Sequence, residues 1–437
     1  MLFAALLIGA VTQSDAFTAV KVTSPPSLAS VSGPWLNGVN ARDFFDFTDR
    51  RPARYATQAY LLYDDRYLYV AFHCVQSGTP ITAAQRVQHA GVGSDDHVGF
   101  QIDTAGNGTR TYQFRVNPIG VHDESSTENA RYAPTWQSSA RIDAAGNYDA
   151  FLVIPLSAIR AQGGSVQRWR FNFERFIAAA NADQTWAYSP AMQSITAVQY
   201  WPWLTGIRVS ASATRPQPQA DAYVLQSAGS QAEVFQNGIG QFEQMHARPL
   251  GLDVTYPFTN TLAFVGTLNP DFSNVEQDQT TIQLQEFQKT YTEYRPFFAQ
   301  GAQYINAVPQ ISVFPGSGNL LFYSPSIGVF DRGLKVEGTA GNSALGVLNV
   351  VGPGIDDNAA GYAYTTDNGD LSFSEQSVLA NHFDLRDEVN AFGMQRLNRH
   401  SGEETQVEFA SEDSSDDGSA HDFNLSEGLQ NQHFTAI

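Results

Sequence analysis

Aromatic side chains in loops and at strand ends are the residues of this sequence best suited to a binding chemistry. Sugars bind where an aromatic face stacks on the C–H-rich side of a pyranose ring and nearby polar groups contact its hydroxyls. The candidate platforms for such stacking are Trp136, Trp186, Tyr188, Trp201 and Trp203. Packing into a core is the alternative for each of them. Trp169 lies inside a predicted strand, where a core position is expected.

Acidic residues and histidines suggest metal chemistry only weakly. Asp95, Asp96 and Asp103 would supply oxygen ligands for calcium, the one cofactor that the sequence allows. No loop has EF-hand-like spacing, however, so roles in turns are the simpler interpretation. The histidines of the same region lack metal-ligand spacing, and the sequence therefore predicts no zinc site. They are His73, His89, His97 and His122.

Catalytic motifs are missing from the sequence. It contains no G-x-S-x-G nucleophile elbow, no H-E-x-x-H, no phosphate loop and no dinucleotide fingerprint. Glycoside hydrolysis needs only two carboxylates, for which Glu174 and Glu276 are the candidates. A salt bridge with a neighbouring arginine on the strand face explains Glu174 better. We therefore expect no catalytic residues, although a catalytic or accessory part in polysaccharide breakdown remains the alternative.

Composition limits the partners and the compartment. The chain has 437 residues, a formal net charge of −19 and clearly fewer basic than acidic residues, which excludes nucleic acid as a partner. Its length favours two domains. Met1–Ala16 has the length and apolar character of a secretory signal, so we expect export. The single Cys74 rules out an internal disulfide framework.

Hairpins with two-residue periodicity fill the first part of the chain. Apolar residues alternate in 59–63 and 67–72 around an Asp-Asp-Arg turn, and Ala-Gly-Asn turns separate 98–103 from 111–116 and 140–143 from 148–155. In 169–175, aromatic residues occupy one parity and polar residues the other. We also expect a first strand near Trp35, followed by an Asn-Gly turn. The pattern predicts an antiparallel β-sandwich.

The second part alternates differently. In each of its predicted strands, polar residues alternate with apolar ones, so that all the polar residues can point to one face of a sheet. These polar residues are Asp253, Lys335, Glu337 and the acidic or amide residues at 404, 406 and 408. Transmembrane barrels place polar side chains in the lumen and apolar ones towards lipid. The sequence therefore predicts an antiparallel β-barrel.

A segment of helical pattern interrupts these strands between Asn269 and Gly301. Its apolar residues fall mostly at spacings of three and four within 274–292, and it ends on Arg295, Pro296, Phe297 and Phe298. We expect the helix to lie in the lumen or across its mouth, anchored by the two phenylalanines. Arg295 would then pair with Asp253 or Glu337.

Both parts resemble known families. NPDF, VEQD and YRPFF-x-x-G are similar to the NPDFGQVEAD and KRPFFLEG signatures of the domain of unknown function 5916, a bacterial family. WLNG, LLYDDRYLYVAFHC, SDDHVGFQID, FRVNPIGVHD and WRFNFERF resemble the family 9 carbohydrate-binding-like domain that precedes it. This resemblance implies a sugar-binding sandwich ahead of an outer-membrane-type barrel. Family members are longer, which implies a barrel truncated at its C-terminal end.

These observations together predict an exported all-β protein of the bacterial outer membrane that presents or binds glycan. Its expected partners are a carbohydrate ligand and outer-membrane lipid, with the sandwich in the periplasm. The expected parts are a signal peptide at 1–16, a linker at 17–35, the sandwich at 36–205, a linker at 206–221 and the barrel at 222–437.

Overall fold

A computed structural model shows a chain built almost entirely of antiparallel strands, as the sequence predicts. The chain divides into two compact units. Unit 1 comprises Met1–Glu124, Ala133–Ile159 and Gly163–Ala213, and unit 2 comprises Ser125–Tyr132, Arg160–Gln162 and Thr214–Ile437. The structure describes residues 16–129, 132–161, 166–190, 192–209, 217–224, 230–233, 241–244, 250–270, 293, 295–308, 321–324, 327, 330–367, 369–398, 403–415, 418–430 and 435–436. The predicted signal peptide up to residue 15, the helical stretch 274–292 and Glu276 lie outside these residues.

Unit 1 is a sandwich of two sheets. One has the order β10-β9-β8-β13-β14-β4-β5, with β15 and β1 beside β13, and the other has the order β11-β12-β7-β6-β2, with β3 beside β6. The strands of this part of the chain are β1 Ala16–Thr18, β2 Val20–Lys21, β3 Val39–Ala41, β4 Phe45–Asp46, β5 Arg51–Pro52, β6 Thr57–Tyr63, β7 Tyr67–Cys74, β8 His97–Asp103, β9 Thr111–Val116, β10 His122–Ser126, β11 Gln137–Ile142, β12 Tyr148–Pro155, β13 Val166–Ile177, β14 Ala182–Thr185 and β15 Trp203–Arg208. Short 3-10 helices occupy Gly33–Asn37, Leu156–Ala158, Ala178–Ala180 and Val198–Tyr200.

The three predicted hairpins are confirmed. They are β6 with β7, β8 with β9, and β11 with β12, all antiparallel. Between the sheets, the ring of Phe72 meets that of Phe173 edge to face at 5.7 Å, and Phe173 also contacts Phe100. The aromatic parity of β13 therefore faces the core, and its polar parity faces away from it. We call that second face the outer face of the β13 sheet.

The N-terminal segment is part of the sandwich and not the linker predicted for 17–35. Trp35 lies in a 3-10 helix instead of a strand, because Pro34 at its first turn fixes φ in the helical range. The Trp35 side chain is fully buried, packs on Phe151 and donates from Nε1 to the carbonyl of Ser27 at 2.8 Å. The segment thus covers the face of the β6–β7 sheet that points away from the core.

Unit 2 contains a sheet of 11 strands in the order β16-β19-β20-β21-β22-β23-β24-β25-β26-β27-β28, and a separate pair, β17 with β18. In the described residues its elements are β16 Gln219–Tyr223, β17 Ser230–Glu233, β18 Gln241–Gln244, β19 Gly251–Pro257, β20 Leu262–Leu268, α1 Pro296–Ala299, α2 Ala302–Ile305, β21 Arg332–Ala340, β22 Ser343–Gly352, β23 Ile355–Thr365, β24 Leu371–His382, β25 Leu385–Asn398, β26 Glu403–Ser414, β27 Gly418–Gln430 and β28 Thr435–Ala436. Strands thus extend into both ends of the predicted linker 206–221. Among the described strands, β16 and β28 each pair on one side only, and closure into a barrel stays a prediction.

The two faces of this sheet differ in what they contact. One row across the strands consists of Val265, Lys335, Leu348, Ala359 and Val378, and these side chains are buried. We call this the covered face. The opposite, open face has many exposed apolar side chains, together with charged residues such as Glu375, Arg386 and Arg396. The exposed apolar residues of the open face include Leu334, Val347, Tyr362, Phe392, Phe409 and Phe423.

Helices α1 and α2 lie on the covered face. Phe297 and Phe298 join its core cluster together with Ile305, as expected of an anchor. Gly346 makes this approach possible, because a Cβ atom there would lie 2.5 Å from the backbone of Tyr304. In the described residues, no helix has the length and apolar character needed to cross a membrane.

The expected partners of Arg295 are wrong. Its guanidinium forms an ion pair with Glu293 at 2.6 Å and donates to the carbonyl of Ile327 at 2.6 Å. Glu337 pairs with Lys335 at 2.8 Å instead, and the Lys335 ammonium also donates to the carbonyl of Phe297 at 2.7 Å. Glu293 is only two residues from Arg295, and Glu337 is already paired with Lys335, which explains the difference.

Replacing Trp35 tests the role of the N-terminal segment. Trp35→Ala removes a fully buried indole and should lower the free energy of unfolding by about 3–5 kcal/mol. The neighbouring Leu36 is 59% exposed, so Leu36→Ala should change it by less than about 0.5 kcal/mol. Denaturant titration followed by tryptophan fluorescence and circular dichroism measures both. Equal, small effects would mean that the segment is a linker after all.

Candidate functional site

A network of polar side chains centred on Glu174 lies on the outer face of the β13 sheet. Glu174 accepts hydrogen bonds from Gln101 Nε2 at 2.7 Å, Gln113 Nε2 at 2.9 Å and Arg115 Nε at 2.7 Å. Pairing of β13 with β8 sets Glu174 opposite Gly99, where a Cβ atom would collide with the carboxylate. Glycine therefore gives the carboxylate its space. As the sequence predicted, Glu174 forms a salt bridge, but with an arginine on β9.

Arg115 brings this network to the surface. Its side chain is 26% exposed, whereas that of Glu174 is 1% exposed. Burial would lower the pKa of Arg115, but the charge and hydrogen bond of Glu174, and then the charge of Asp123 on β10, raise it. The Oδ1 atom of Asp123 is buried and finds no hydrogen-bond donor among the described residues. The site thus offers a charged donor at its surface, with a buried acceptor nearby.

An aromatic pair borders the network. Tyr188 stacks on Phe45 with ring centroids 3.6 Å apart and planes 18° from parallel. Thr185 pairs with Phe45 on one side and with Glu174 on the other, so Phe45 and Glu174 share the outer face. Tyr188 is half-buried, in contrast to the other predicted platforms.

Those four tryptophans pack inside the protein. Trp136, Trp186, Trp201 and Trp203 are each between 3% and 7% exposed. Trp186 contacts Phe17, Phe171 and Phe173. Buried faces of this kind do not meet a sugar ring in this conformation, so the packing alternative describes them better.

Their neighbours show why these indoles are buried. The guanidinium groups of Arg168 and Arg170 lie 3.8 and 3.9 Å from the ring of Trp203. Trp201 Nε1 donates to the carbonyl of Ile195, and Trp136 lies against His122 and Phe114. The sequence showed that these residues follow strands, but not which loops fold back over them.

The candidate calcium ligands accept hydrogen bonds from backbone amides of nearby loops and turns. Asp95 accepts from the amides of Ala84 and Gln85 and from Asn117 Nδ2. Burial alone would raise the pKa of Asp95, but these hydrogen bonds outweigh it and lower the pKa. Asp96 accepts from the amide of Ala178 at 2.7 Å and from Gln76 Nε2 at 2.5 Å, and Asp103 accepts from the amides of Ala105 and Gly108 within its hairpin loop.

A second cluster, which sequence spacing did not reveal, lies at the edge of the same sheet. His89, His122 and Glu124 each place one nitrogen or oxygen atom within 4.8 Å of the others. Burial, and then the nearby His89, lower the pKa of His122 to about 4. The only signal in the sequence is the His-x-Glu spacing at 122 and 124, which puts both side chains on one face of a strand.

Comparison with known proteins bears on the second unit directly. Residues 232–330 match the model of the domain of unknown function DUF5916, which confirms the resemblance of the second domain to that family. No curated protein matches the chain.

Solved structures with some similarity each cover less than half of this chain. A carbohydrate-binding candidate from Bacteroides uniformis has 15% sequence identity and a TM-score of 0.37, covering 44% of this chain and 99% of its own. A carbohydrate binding module of family 9 from Caldicellulosiruptor kristjanssonii in complex with glucose has 15% identity and a TM-score of 0.31, covering 44% and 94%. Such a module in complex with cellotriose has 15% identity and a TM-score of 0.32, covering 46% and 98%.

Asp183 allows a test of the electrostatics of the outer face. Burial, and then the charge of Glu174, raise its pKa to about 6, against the effect of Arg115. Because the unfolded value is about 3.9, protonated Asp183 stabilises the fold fully below that pH, and this contribution is lost as the pH rises through about 6. Asp183→Asn should therefore stabilise the protein more at about pH 8 than at about pH 4.

The matched control is Asp143, whose pKa is shifted in the opposite direction. Hydrogen bonds from Asn147 lower the pKa of Asp143 in its hairpin turn, so Asp143→Asn should cost stability at high pH and little at low pH. Urea titrations at the two pH values measure both variants. A pH-independent effect of Asp183→Asn would contradict the raised pKa.

Proposed function

We propose that unit 1 binds carbohydrate on the outer face of the β13 sheet, above the Glu174 network. The observation that carries this proposal is the combination of that network with the stacked Phe45–Tyr188 pair beside it. Sugar recognition needs both an apolar surface for the ring and fixed polar groups for the hydroxyls. Both lie together here.

The polar groups are already held in place by the protein. Glu174 fixes the amide of Gln113 and the guanidinium of Arg115, so these side chains lose little freedom on binding. The partly exposed guanidinium of Arg115 donates to a ligand hydroxyl. A polyol offers several hydroxyl oxygens that can accept from this guanidinium.

Charge argues for a neutral sugar. Three carboxylates, those of Asp123, Glu174 and Asp183, lie near the guanidinium of Arg115, and Arg50 beside Tyr188 is a second cation, so negative charge is in excess. A uronic acid or sulfated sugar would meet net repulsion near neutral pH. Glucose and cellotriose are suitable first ligands, because both are neutral.

Variants at the surface of the site test the proposal. Arg115→Ala and Tyr188→Ala should each weaken binding by about 1–3 kcal/mol, through a lost charged donor and a lost aromatic face. Arg141→Ala is the matched control, because Arg141 is an exposed arginine on β11 of the other sheet. Calorimetry with cellotriose, after a glycan array on the purified protein, measures the effect. Unchanged affinity in both site variants would place the sugar elsewhere or exclude it.

We also propose that the open face of unit 2 contacts lipid in the outer membrane of a bacterium, after export. The observation in favour is the inverted distribution of its side chains. Lys335 and Glu337 are buried on the covered face, while Phe392, Phe409 and Phe423 are exposed on the open face. A sheet in water normally buries its aromatic face, whereas a sheet in a bilayer turns it towards the acyl chains.

Strand length agrees with this environment. Strands β21 to β27 have between 9 and 14 residues. A tilted strand needs about 9–11 residues to cross the hydrocarbon core. The sheet therefore has the length and the apolar face that a bilayer requires, and α1 and α2 lie on its covered face.

Adding a charge to each face distinguishes lipid contact from a general loss of stability. Phe409→Lys puts a cation on the open face and should cost up to about 2–4 kcal/mol of membrane stability if the site lies near the bilayer midplane. Gln406→Lys adds the same charge to β26 on the other parity and should be tolerated. Flotation of refolded protein with phosphatidylcholine vesicles measures the bound fraction. Equal flotation of both variants would argue against lipid at this face.

A further inference from the structure

A side-chain cluster at the edge of unit 1 has the composition of a metal site. It consists of His89, His122 and Glu124, whose potential ligand atoms lie within 4.8 Å of one another. His122 and Glu124 are two residues apart on β10, so they project from the same face of the strand. Asp123, between them, projects from the opposite face towards the Glu174 network. The cluster is therefore separate from the proposed sugar site.

The loop that carries His89 is fastened to β10 by main-chain and side-chain hydrogen bonds. The amide of His89 donates to the carbonyl of His122 at 2.9 Å, and the amide of His122 donates to Gln88 Oε1 at 2.8 Å. His89 has a φ of 62°, in the left-handed region that non-glycine residues seldom adopt. This conformation turns its side chain to Glu124, where Nδ1 lies 2.5 Å from Oε1. Left-handed backbone at a polar cluster often accompanies function.

Hydrogen bonding decides which nitrogen of His122 carries its proton. Ser138 Oγ donates its single hydrogen to the carbonyl of Gly120 at 2.8 Å. Ser138 Oγ can then only accept from His122 Nδ1, which lies 2.6 Å away. The proton is thus on Nδ1, and Nε2 keeps its lone pair. Histidine ligands of metals are oriented in this way by a partner of the other ring nitrogen.

Glu124 is similarly oriented. Its side chain is 1% exposed, and Oε2 accepts from Trp136 Nε1 at 2.8 Å. The ring of Trp136 lies against that of His122, with centroids 4.1 Å apart. A buried carboxylate held by an indole leaves its other oxygen, Oε1, directed to His89. Both buried members of the cluster therefore have supporting contacts that fix them.

We propose that His89, His122 and Glu124 bind a divalent transition metal ion of the Zn²⁺ type. Two imidazoles and one carboxylate are ligands that Zn²⁺ and Co²⁺ accept, whereas Ca²⁺ requires six or more oxygens. Bonds of about 2.0–2.2 Å in a tetrahedron put ligand atoms roughly 3.3–3.6 Å apart. Small side-chain rotations bring the present separations of 2.5 to 4.8 Å to that spacing.

Solvent reaches the cluster from one side. The His89 side chain is 42% exposed, while His122 and Glu124 are buried. An ion held by these three groups keeps its fourth position towards water. That position accepts a water molecule or an oxygen atom of a bound ligand.

Metal titration of the whole chain, produced without a polyhistidine tag, tests the site. CoCl₂ should give the visible absorption of four-coordinate Co²⁺, ZnCl₂ should displace it, and CaCl₂ should not. His89→Ala and Glu124→Gln should each weaken Zn²⁺ binding at least about 100-fold. Ser138→Ala, which removes the partner of His122 Nδ1, should weaken it about 10–100-fold. Calorimetry gives the affinities, and circular dichroism verifies that each variant folds.

The matched control is His73→Ala. His73 is equally exposed at 42% and also pairs with a carboxylate, Asp149 at 2.7 Å, but has no second histidine in the described structure to complete a cluster. Its replacement should leave the cobalt spectrum unchanged. The proposal is overturned if Zn²⁺ and Co²⁺ do not bind, if binding survives His89→Ala and Glu124→Gln, or if His73→Ala abolishes it equally.

Discussion

The alternation of side chains along β13 is the constraint on which unit 1 depends. Trp169, Phe171 and Phe173 occupy one parity and face the core, and Asn172 and Glu174 occupy the other. A shift of one residue in register would expose the aromatic rings and bury a carboxylate against apolar neighbours. The register with β8 and β14 is therefore strongly determined. It is the same register that sets Glu174 opposite Gly99 and close to Arg115.

In unit 2 side chains also alternate between the two faces of the sheet, but charged residues are buried on one face and aromatic residues are exposed on the other. The covered face contains a buried ion pair between Lys335 and Glu337. The Lys335 ammonium also donates to the carbonyl of Phe297 in α1. A buried charge is costly unless it is paired and hydrogen-bonded, and here it is both. Apolar anchors, Phe297 and Phe298, fill the remaining space. The open face keeps aromatic side chains that water does not favour, and this imbalance underlies the lipid proposal.

Strand β10 contributes residues to two different sites, the Glu174 network and the proposed metal cluster. Asp123 faces the Glu174 network and accepts from the amide of Val92, whereas His122 and Glu124 form the cluster with His89. Successive residues of a strand point to opposite sides of the sheet, so adjacent residues contribute to different chemistry. A ligand on one face would leave the other accessible, which allows the sugar and metal proposals to be tested separately.

By itself, the sequence determined the all-β class, the three hairpins of unit 1 and the polar parity of unit 2, because strand periodicity and turn residues are local properties. It also identified the DUF5916 segment through its motifs, and it associated Glu174 with an arginine. Tertiary structure alone decided which arginine this is, since Arg115 lies on another strand. It likewise decided that the tryptophans are buried and that Trp35 covers a sheet, because burial depends on which distant segments fold over a side chain. His89 and His122 are far apart in sequence, and only a loop fastened across a sheet edge brings them to one point.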